Sequence, residues 1–140
     1  MSDKGSIIFG GRYELKKRIA RGGMAEVFLG EDQLLGRPVA VKVLFPEFAS
    51  DPNFVERFRR EAQAAANLSH PNIVGVFDWG KERNTYYIVM EYVEGRTLSQ
   101  IIRKEGPLPT ARIAEIADAI ASAVGFAHKR KRSAQRYETR

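Results

Sequence analysis

Residues 39–44 read Val-Ala-Val-Lys-Val-Leu, a short run rich in β-branched side chains that predicts a mostly buried strand. Lys42 needs an anionic partner there, because an ammonium group loses its hydration inside an apolar strand. Residues 58–62, Phe-Arg-Arg-Glu-Ala, have helical character and contain Glu61, which follows Lys42 by nineteen positions. We therefore predict an ion pair between Lys42 and Glu61. For Lys42 taken alone, a lysine snorkelling from a half-exposed strand is the alternative.

A glycine-bearing turn precedes this strand. Residues 12–20 and 25–31 alternate between apolar and polar side chains, as paired strands do, and residues 21–24, Arg-Gly-Gly-Met, join them. Glycine lets backbone N–H groups approach a phosphate chain without obstruction by a side chain. The turn is therefore a candidate phosphate-binding loop, but an ordinary β-turn accounts for it at least as well when it is taken alone.

The remaining elements complete an α+β fold. Residues 51–68 begin with Asp-Pro, a typical helix start, and place apolar side chains at helical spacing. Residues 73–79 and 85–93 have strand-like patterns, so we predict a five-stranded antiparallel sheet with one main helix. A short helix over 97–104 and a longer helix from Thr110 to about His128 follow, separated by a Gly-Pro-Leu-Pro break.

Composition limits the chemistry that the chain can perform. Its 140 residues, 44% of them hydrophobic, are enough for one domain with a real core. The absence of cysteine excludes disulfides and thiolate catalysis, and two isolated histidines form no metal-ligand motif. No stretch resembles a signal peptide or reaches the roughly 20 apolar residues of a membrane span. We therefore expect a cytoplasmic protein without a metal site formed by histidine or cysteine.

Positive charge is concentrated at the end of the chain. The net charge is +6, and residues 129–140 contain six Lys or Arg side chains against a single glutamate. Such a run is typical of a solvated tail, so we predict that 129–140 are disordered. A contact with nucleic acid or with anionic lipid is the less favoured alternative.

Five motifs occur in an order and spacing that resemble a bacterial eukaryotic-type (Hanks-type) serine/threonine protein kinase. They are the hairpin at 20–27, Val-Ala-Val-Lys at 39–42, Arg-Arg-Glu-Ala at 59–62, His-Pro-Asn-Ile-Val at 70–74 and Ile-Val-Met-Glu-Tyr-Val-Glu-Gly at 88–95. The resemblance implies a flexible N-terminus at 1–11, an ATP-binding small lobe at 12–95 and the start of the large lobe, two helices, at 96–128.

The resemblance also implies roles for individual residues. Lys42 and Glu61 would hold the α- and β-phosphates of ATP, and Met90 would be the gatekeeper at the back of the pocket. The other residues implied to bind ATP form the glycine hairpin, the roof over adenine and the hinge: Ala20, Arg21, Gly22, Gly23, Met24 and Ala25; Val27 and Ala40; and Glu91, Tyr92 and Val93. In the hairpin, alanine replaces the two outer glycines of the family pattern. For Val27, Ala40 and Met90 taken singly, plain core packing explains the side chain as well.

The sequence departs from the family after His128. It contains no His-Arg-Asp catalytic loop and no Asp-Phe-Gly motif, so the ligands that hold Mg²⁺ in the intact family are absent. Phosphoryl transfer depends on that base and those metal ligands. We therefore predict that the 140 residues bind ATP but are inactive on their own.

Three function classes follow from these observations. The first is the ATP-binding part of a serine/threonine kinase. The second is a non-catalytic module that binds or inhibits a full-length kinase, with the apolar stripe of the helix at 110–128 contacting a kinase lobe or a second copy of the chain. The third, and weakest, is a binder of nucleic acid or membrane surfaces through the basic run.

Overall fold

The computed structural model describes the backbone of residues 5–138 and the side chains of residues 5–131. Its strands are β1 Ile7–Phe9, β2 Tyr13–Arg21, β3 Ala25–Asp32, β4 Arg37–Leu44, β5 Val76–Glu82 and β6 Thr85–Glu91. Its helices are α1 Pro46–Ala49, α2 Pro52–Ala66, α3 Leu98–Glu105 and α4 Thr110–Glu138. None of the described helices combines the length and the apolar character needed to cross a bilayer.

The strands form one antiparallel sheet in the order β1-β2-β3-β4-β6-β5. Strand β4 lies inside the sheet and pairs with β3 without interruption, from Ala25 opposite Leu44 to Asp32 opposite Arg37. Its other edge pairs with β6, where Lys42 lies opposite Ile88. The strand that carries Lys42 is therefore held on both sides.

The two faces of the sheet bury different clusters, because successive side chains of a strand point to opposite faces. One face buries Phe9, Tyr13, Val39, Val41, Val43, Tyr87 and Val89. The other face buries Ala25, Leu44 and Ile88 against Phe58 and Ala62 of α2. The even-numbered residues of β4 thus face α2, and its odd-numbered valines face away from it.

Helix α2 begins where the sequence predicts it. The Asp51 side chain accepts a hydrogen bond from the Asn53 N–H at 2.9 Å, and a proline occupies the first helical position. The buried face of the helix consists of Phe58 and Ala62. The Phe58 ring lies 5.4 Å from the ring of Trp79 on β5. Burial of a phenylalanine contributes about 1.5–3 kcal/mol, so this packing fixes α2 over the sheet.

The chain divides into two compact units, the first comprising residues up to Asn67 together with Val74–Tyr92. The second comprises Leu68–Ile73 and the residues from Val93 onward. Within this second unit, Thr97 and Gln100 cap the start of α3 through reciprocal hydrogen bonds. The loop 68–73 is joined to α4 by His70, whose Nε2 lies 3.0 Å from the Ser122 hydroxyl.

The sheet has one strand more than the sequence predicts. Strand β1 lies within residues 1–11, where we expected a flexible segment, and residues 1–4 of that segment lie outside the described part. Three residues are too few to show an alternating pattern. Phe9 is only 5% exposed, and its ring centroid lies 5.2 Å from that of Tyr87. Tertiary burial, which local sequence does not reveal, therefore holds this strand in place.

The end of α4 also differs from the expectation. The sequence predicts a disordered tail over 129–140, whereas the backbone is helical as far as Glu138, and residues 139–140 lie outside the described part. Residues 129–138 contain neither glycine nor proline and are rich in Lys, Arg, Ala and Gln, all good helix formers. The helix that precedes them therefore continues despite their like charges.

Candidate functional site

The register of the sheet places on one face the residues predicted to lie over adenine and at the back of the ATP pocket. Val27 on β3 lies opposite Lys42 on β4, and Ala40 lies opposite Met90 on β6. Paired residues of neighbouring strands project to the same side of a sheet. The same row extends to β2, where Ala20 lies opposite Val27. These five residues therefore share the face on which α2 packs.

Lys42 and Glu61 form the ion pair that the sequence predicts. The Nζ of Lys42 lies 2.5 Å from an Oε of Glu61, and the two side chains are 26% and 53% exposed. Glu61 is placed by its own helix, because Phe58 and Ala62 beside it are buried in the core. A pair this exposed stabilises a fold by only about 0–1 kcal/mol. Stability alone is thus a weak reason for a lysine inside this strand, and its role toward phosphates stays a prediction.

The glycine-bearing hairpin joins β2 to β3. Its turn is closed by a hydrogen bond of 2.8 Å from the Gly22 N–H to the Ala25 carbonyl oxygen. The Met24 carbonyl accepts a bond of 2.9 Å from the N–H of Phe45, which directly follows β4. The guanidinium of Arg21 lies 5.1 Å from the centroid of the Phe45 ring, within the range of a cation–π contact. The hairpin is therefore tied to the end of the strand that carries Lys42.

The two glycines of this turn are not required by its backbone conformation. Neither Gly22 nor Gly23 has a positive φ. A β-carbon at Gly23 would meet no atom within 4 Å, and one at Gly22 would lie 3.4 Å from the Ala25 carbonyl oxygen, an ordinary contact. The fold therefore does not require glycine at these positions, and the role of the hairpin as a phosphate-binding loop stays a prediction.

The predicted hinge begins at the end of β6. Glu91 is the last residue of the strand, and its N–H donates to the Gly75 carbonyl at 2.8 Å. Its carboxylate also accepts a bond of 3.1 Å from the Gly75 N–H. Tyr92 is the last residue of the first unit, whereas Val93 begins the second segment of the second unit and is 62% exposed. The sequence did not reveal the bond from Gly75 to the Glu91 carboxylate, because a contact between residues sixteen positions apart leaves no pattern.

A cavity of about 440 Å³ lies between α2 and β5. It is lined by Arg59, Ala62, Gln63, Ala66, Val76, Phe77, Asp78 and Trp79, and it contains none of the residues that the sequence assigns to ATP. The cavity is lined on the side of α2 by the small side chains Ala62 and Ala66, and it depends on packing that leaves no pattern in the sequence. Two of its lining residues on β5 lie in the same face as the site described above, because Val76 is opposite Met90 and Trp79 is opposite Ile88.

The described residues do not fit a magnesium site. Mg²⁺ is held in proteins by carboxylate and other oxygen ligands. Within residues 5–131, no three His, Asp or Glu side chains converge in a way that could hold a metal ion. The carboxylate of Glu61 is already engaged by Lys42. No step of the chemistry is therefore assigned to a metal held by this chain.

The protein kinase domain model matches the sequence over residues 13–133. The chain therefore belongs to the protein kinase family, as the five motifs indicated. Among solved structures, the PknI kinase domain of Mycobacterium tuberculosis superimposes with a TM-score of 0.74 at 35% identity, over 89% of this chain and 51% of that chain. The α+β kinase small-lobe fold is thereby confirmed.

Curated relatives of the chain are bacterial serine/threonine kinases. It is 50% identical over 119 residues to the serine/threonine-protein kinase PrkC of Bacillus subtilis, which covers 85% of this chain and 18% of that protein. It is 48% identical over 122 residues to the serine/threonine-protein kinase PknB of Mycobacterium leprae, over 84% of this chain and 20% of that protein. The chain thus spans about a fifth of the length of these relatives.

Proposed function

We propose that the chain is the ATP-binding part of a bacterial serine/threonine protein kinase. The observation that carries the proposal is the common face of the sheet, on which Val27 and Ala40 lie beside a lysine that Glu61 holds. The adenine ring packs under these two small apolar side chains, with Met90 at the back. Lys42, kept in position by Glu61, meets the α- and β-phosphates.

Backbone groups complete the proposed site. The N–H groups of the glycine hairpin, residues 20–25, bind the phosphate oxygens, and two glycines leave room for that approach. The residues from Glu91 through Tyr92 to Val93 offer carbonyl and N–H groups to the edge of adenine, which depends on backbone position more than on side-chain identity.

In the intact family, the bound ATP donates its γ-phosphoryl group to a protein serine or threonine. These 140 residues contain neither the catalytic base nor the metal ligands of that reaction. We propose that they bind ATP and do not transfer phosphate on their own. Phosphorylation of the chain or of a basic protein by the purified chain, lost on Lys42→Ala, would refute this.

Thermal unfolding with and without ATP tests the binding proposal. A ligand at 100 times its Kd stabilises the folded state by about 2.7 kcal/mol, so ATP should raise the unfolding midpoint of the wild type. Lys42→Ala should abolish the shift. Lys16→Ala is the matched control, because Lys16 also pairs with a glutamate, Glu31, at 3.0 Å but on another strand. An equal ATP shift in the wild type and Lys42→Ala would contradict the proposal.

A non-catalytic interaction module is the second candidate, and the surface of α4 favours it. Ile113, Ile120 and Val124 of this helix are 52%, 53% and 60% exposed. Exposed apolar patches on proteins commonly mark contacts with partners. The partner proposed here is a kinase large lobe, or a second copy of the chain.

Light scattering over a range of concentrations tests this second candidate. The wild type should self-associate, and Ile120→Ser should reduce the association. Ile19→Ser, which removes an isoleucine that is 42% exposed on β2, should leave it unchanged. A monomeric wild type at high concentration, together with no binding to a full-length kinase, would rule the candidate out.

A further inference from the structure

Glu91 engages both backbone polar groups of one residue on the neighbouring strand segment. Its N–H donates to the Gly75 carbonyl at 2.8 Å, and its own carboxylate accepts from the Gly75 N–H at 3.1 Å. A residue in a regular antiparallel pair makes its ladder bonds with backbone atoms alone. Here a side chain supplies the second bond, just before β5 begins at Val76.

The position of this clamp matters because the sheet ends there. The pairing of β6 with β4 stops at Glu91, opposite Val39, and the pairing with β5 stops at Met90, opposite Val76. The peptide group between Glu91 and Tyr92 therefore lies just beyond the last ladder pair. Without a further constraint, such a peptide rotates more freely than one inside a ladder. The bond between the Glu91 carboxylate and the Gly75 N–H restrains Glu91, whose carbonyl group belongs to this peptide.

We propose that Glu91 is a positioning residue for recognition of the base. Its carboxylate, by holding the Gly75 N–H, fixes the direction of the Glu91 carbonyl, which accepts a hydrogen bond from the 6-amino group of adenine. The clamp thereby gives the site its preference for a 6-aminopurine. This inference rests on the proposed binding of ATP. It assigns a role to the Glu91 side chain, whereas the proposed hinge uses only backbone groups.

Affinities for two nucleotides test the inference. ATP and nebularine triphosphate carry the same phosphates, but the second lacks the 6-amino group. The wild type should bind ATP more tightly by roughly threefold to tenfold, the value of one hydrogen bond. Glu91→Leu should lose most of that preference by weakening ATP alone. Glu91→Gln, whose amide oxygen still accepts from Gly75, should keep it.

Glu82 offers a matched control within the same unit. It is the last residue of β5, and its carboxylate accepts a bond of 3.0 Å from the Gly10 N–H, so Glu82→Leu removes the same type of bond elsewhere. The ratio of the two affinities reports only on folded molecules, so partial unfolding of a variant does not distort it. Glu82→Leu should leave the ratio unchanged.

Each result has a distinct meaning. A preference that Glu91→Leu retains, or an equal loss for both nucleotides, would overturn the positioning role while leaving ATP binding intact. A wild type that binds both nucleotides equally would also overturn it. A wild type that binds neither would overturn the proposed function together with the inference.

Discussion

Gly23 lies in the turn between β2 and β3, where a β-carbon would meet no atom within 4 Å. We therefore expect Gly23→Ala to leave the free energy of unfolding unchanged, or to raise it by up to about 1 kcal/mol, because alanine restricts the unfolded chain. ATP affinity should fall roughly tenfold, since the added methyl group blocks one bond to a charged phosphate. Chemical denaturation and nucleotide titration of the same preparation measure the two effects.

Gly80 is the matched control for this substitution. A β-carbon at Gly80 would collide with the ring and hydroxyl group of Tyr87, a residue that is only 4% exposed. Gly80→Ala should therefore lower stability without a specific loss of ATP affinity. If Gly23→Ala destabilises the fold as Gly80→Ala does, the glycine turn is structural and the phosphate-binding interpretation of it is wrong.

At the scale of elements, the β5–β6 hairpin carries backbone strain. Its two-residue turn places Arg83 at φ 51° and Asn84 at φ 62°. Asparagine tolerates this left-handed region, but arginine does so at a cost. Arg83→Asn should therefore raise the free energy of unfolding by about 0.5–1 kcal/mol. Urea denaturation should show a higher midpoint concentration for Arg83→Asn, with an unchanged dependence of the unfolding free energy on urea. As the control, Asn84→Ala should lower that midpoint.

The elements that the sequence predicted well are those with a local signal. The alternation in residues 39–44 and the Asp-Pro start of α2 are properties of neighbouring residues, so pattern alone places Lys42 and Glu61 on facing elements. Strand β1 depends on packing between Phe9 and Tyr87, which lie far apart in the sequence. The Glu91 clamp on Gly75 has the same origin. Interactions of this kind leave no periodicity to detect.

At the scale of the molecule, resistance to acid depends on a buried carboxylate. Asp32 is 1% exposed and forms two hydrogen bonds with the Arg12 guanidinium, at 2.9 and 2.8 Å. Its Oδ1 also accepts from the N–H groups of Leu34 and Leu35. The bond from Arg12 is the main cause that lowers the pKa of Asp32 from 3.8 to about 2.

The sign of the pH effect follows from that shift. Because the folded-state pKa lies below the unfolded one, the stabilisation by Asp32 is fully present above about pH 4 and is lost as the pH falls toward 2. Unfolding midpoints of the wild type and Asp32→Asn, measured from pH 6 to pH 2, should converge over that interval. A gap between the two proteins that stays constant with pH would show that Asp32 contributes through packing alone.

In strand β4, odd-numbered and even-numbered residues lie on opposite faces of the sheet. Val39, Val41 and Val43 are buried on one face, and Ala40 and Lys42 lie on the other. A library that varies only Val39, Val41 and Val43 samples thermal stability and leaves the proposed ATP-binding side chains Ala40 and Lys42 unchanged, whereas the even-numbered Leu44 is itself buried against α2. The odd-numbered side of one short strand thus offers an engineer a way to adjust robustness that leaves the proposed nucleotide-binding side chains in place.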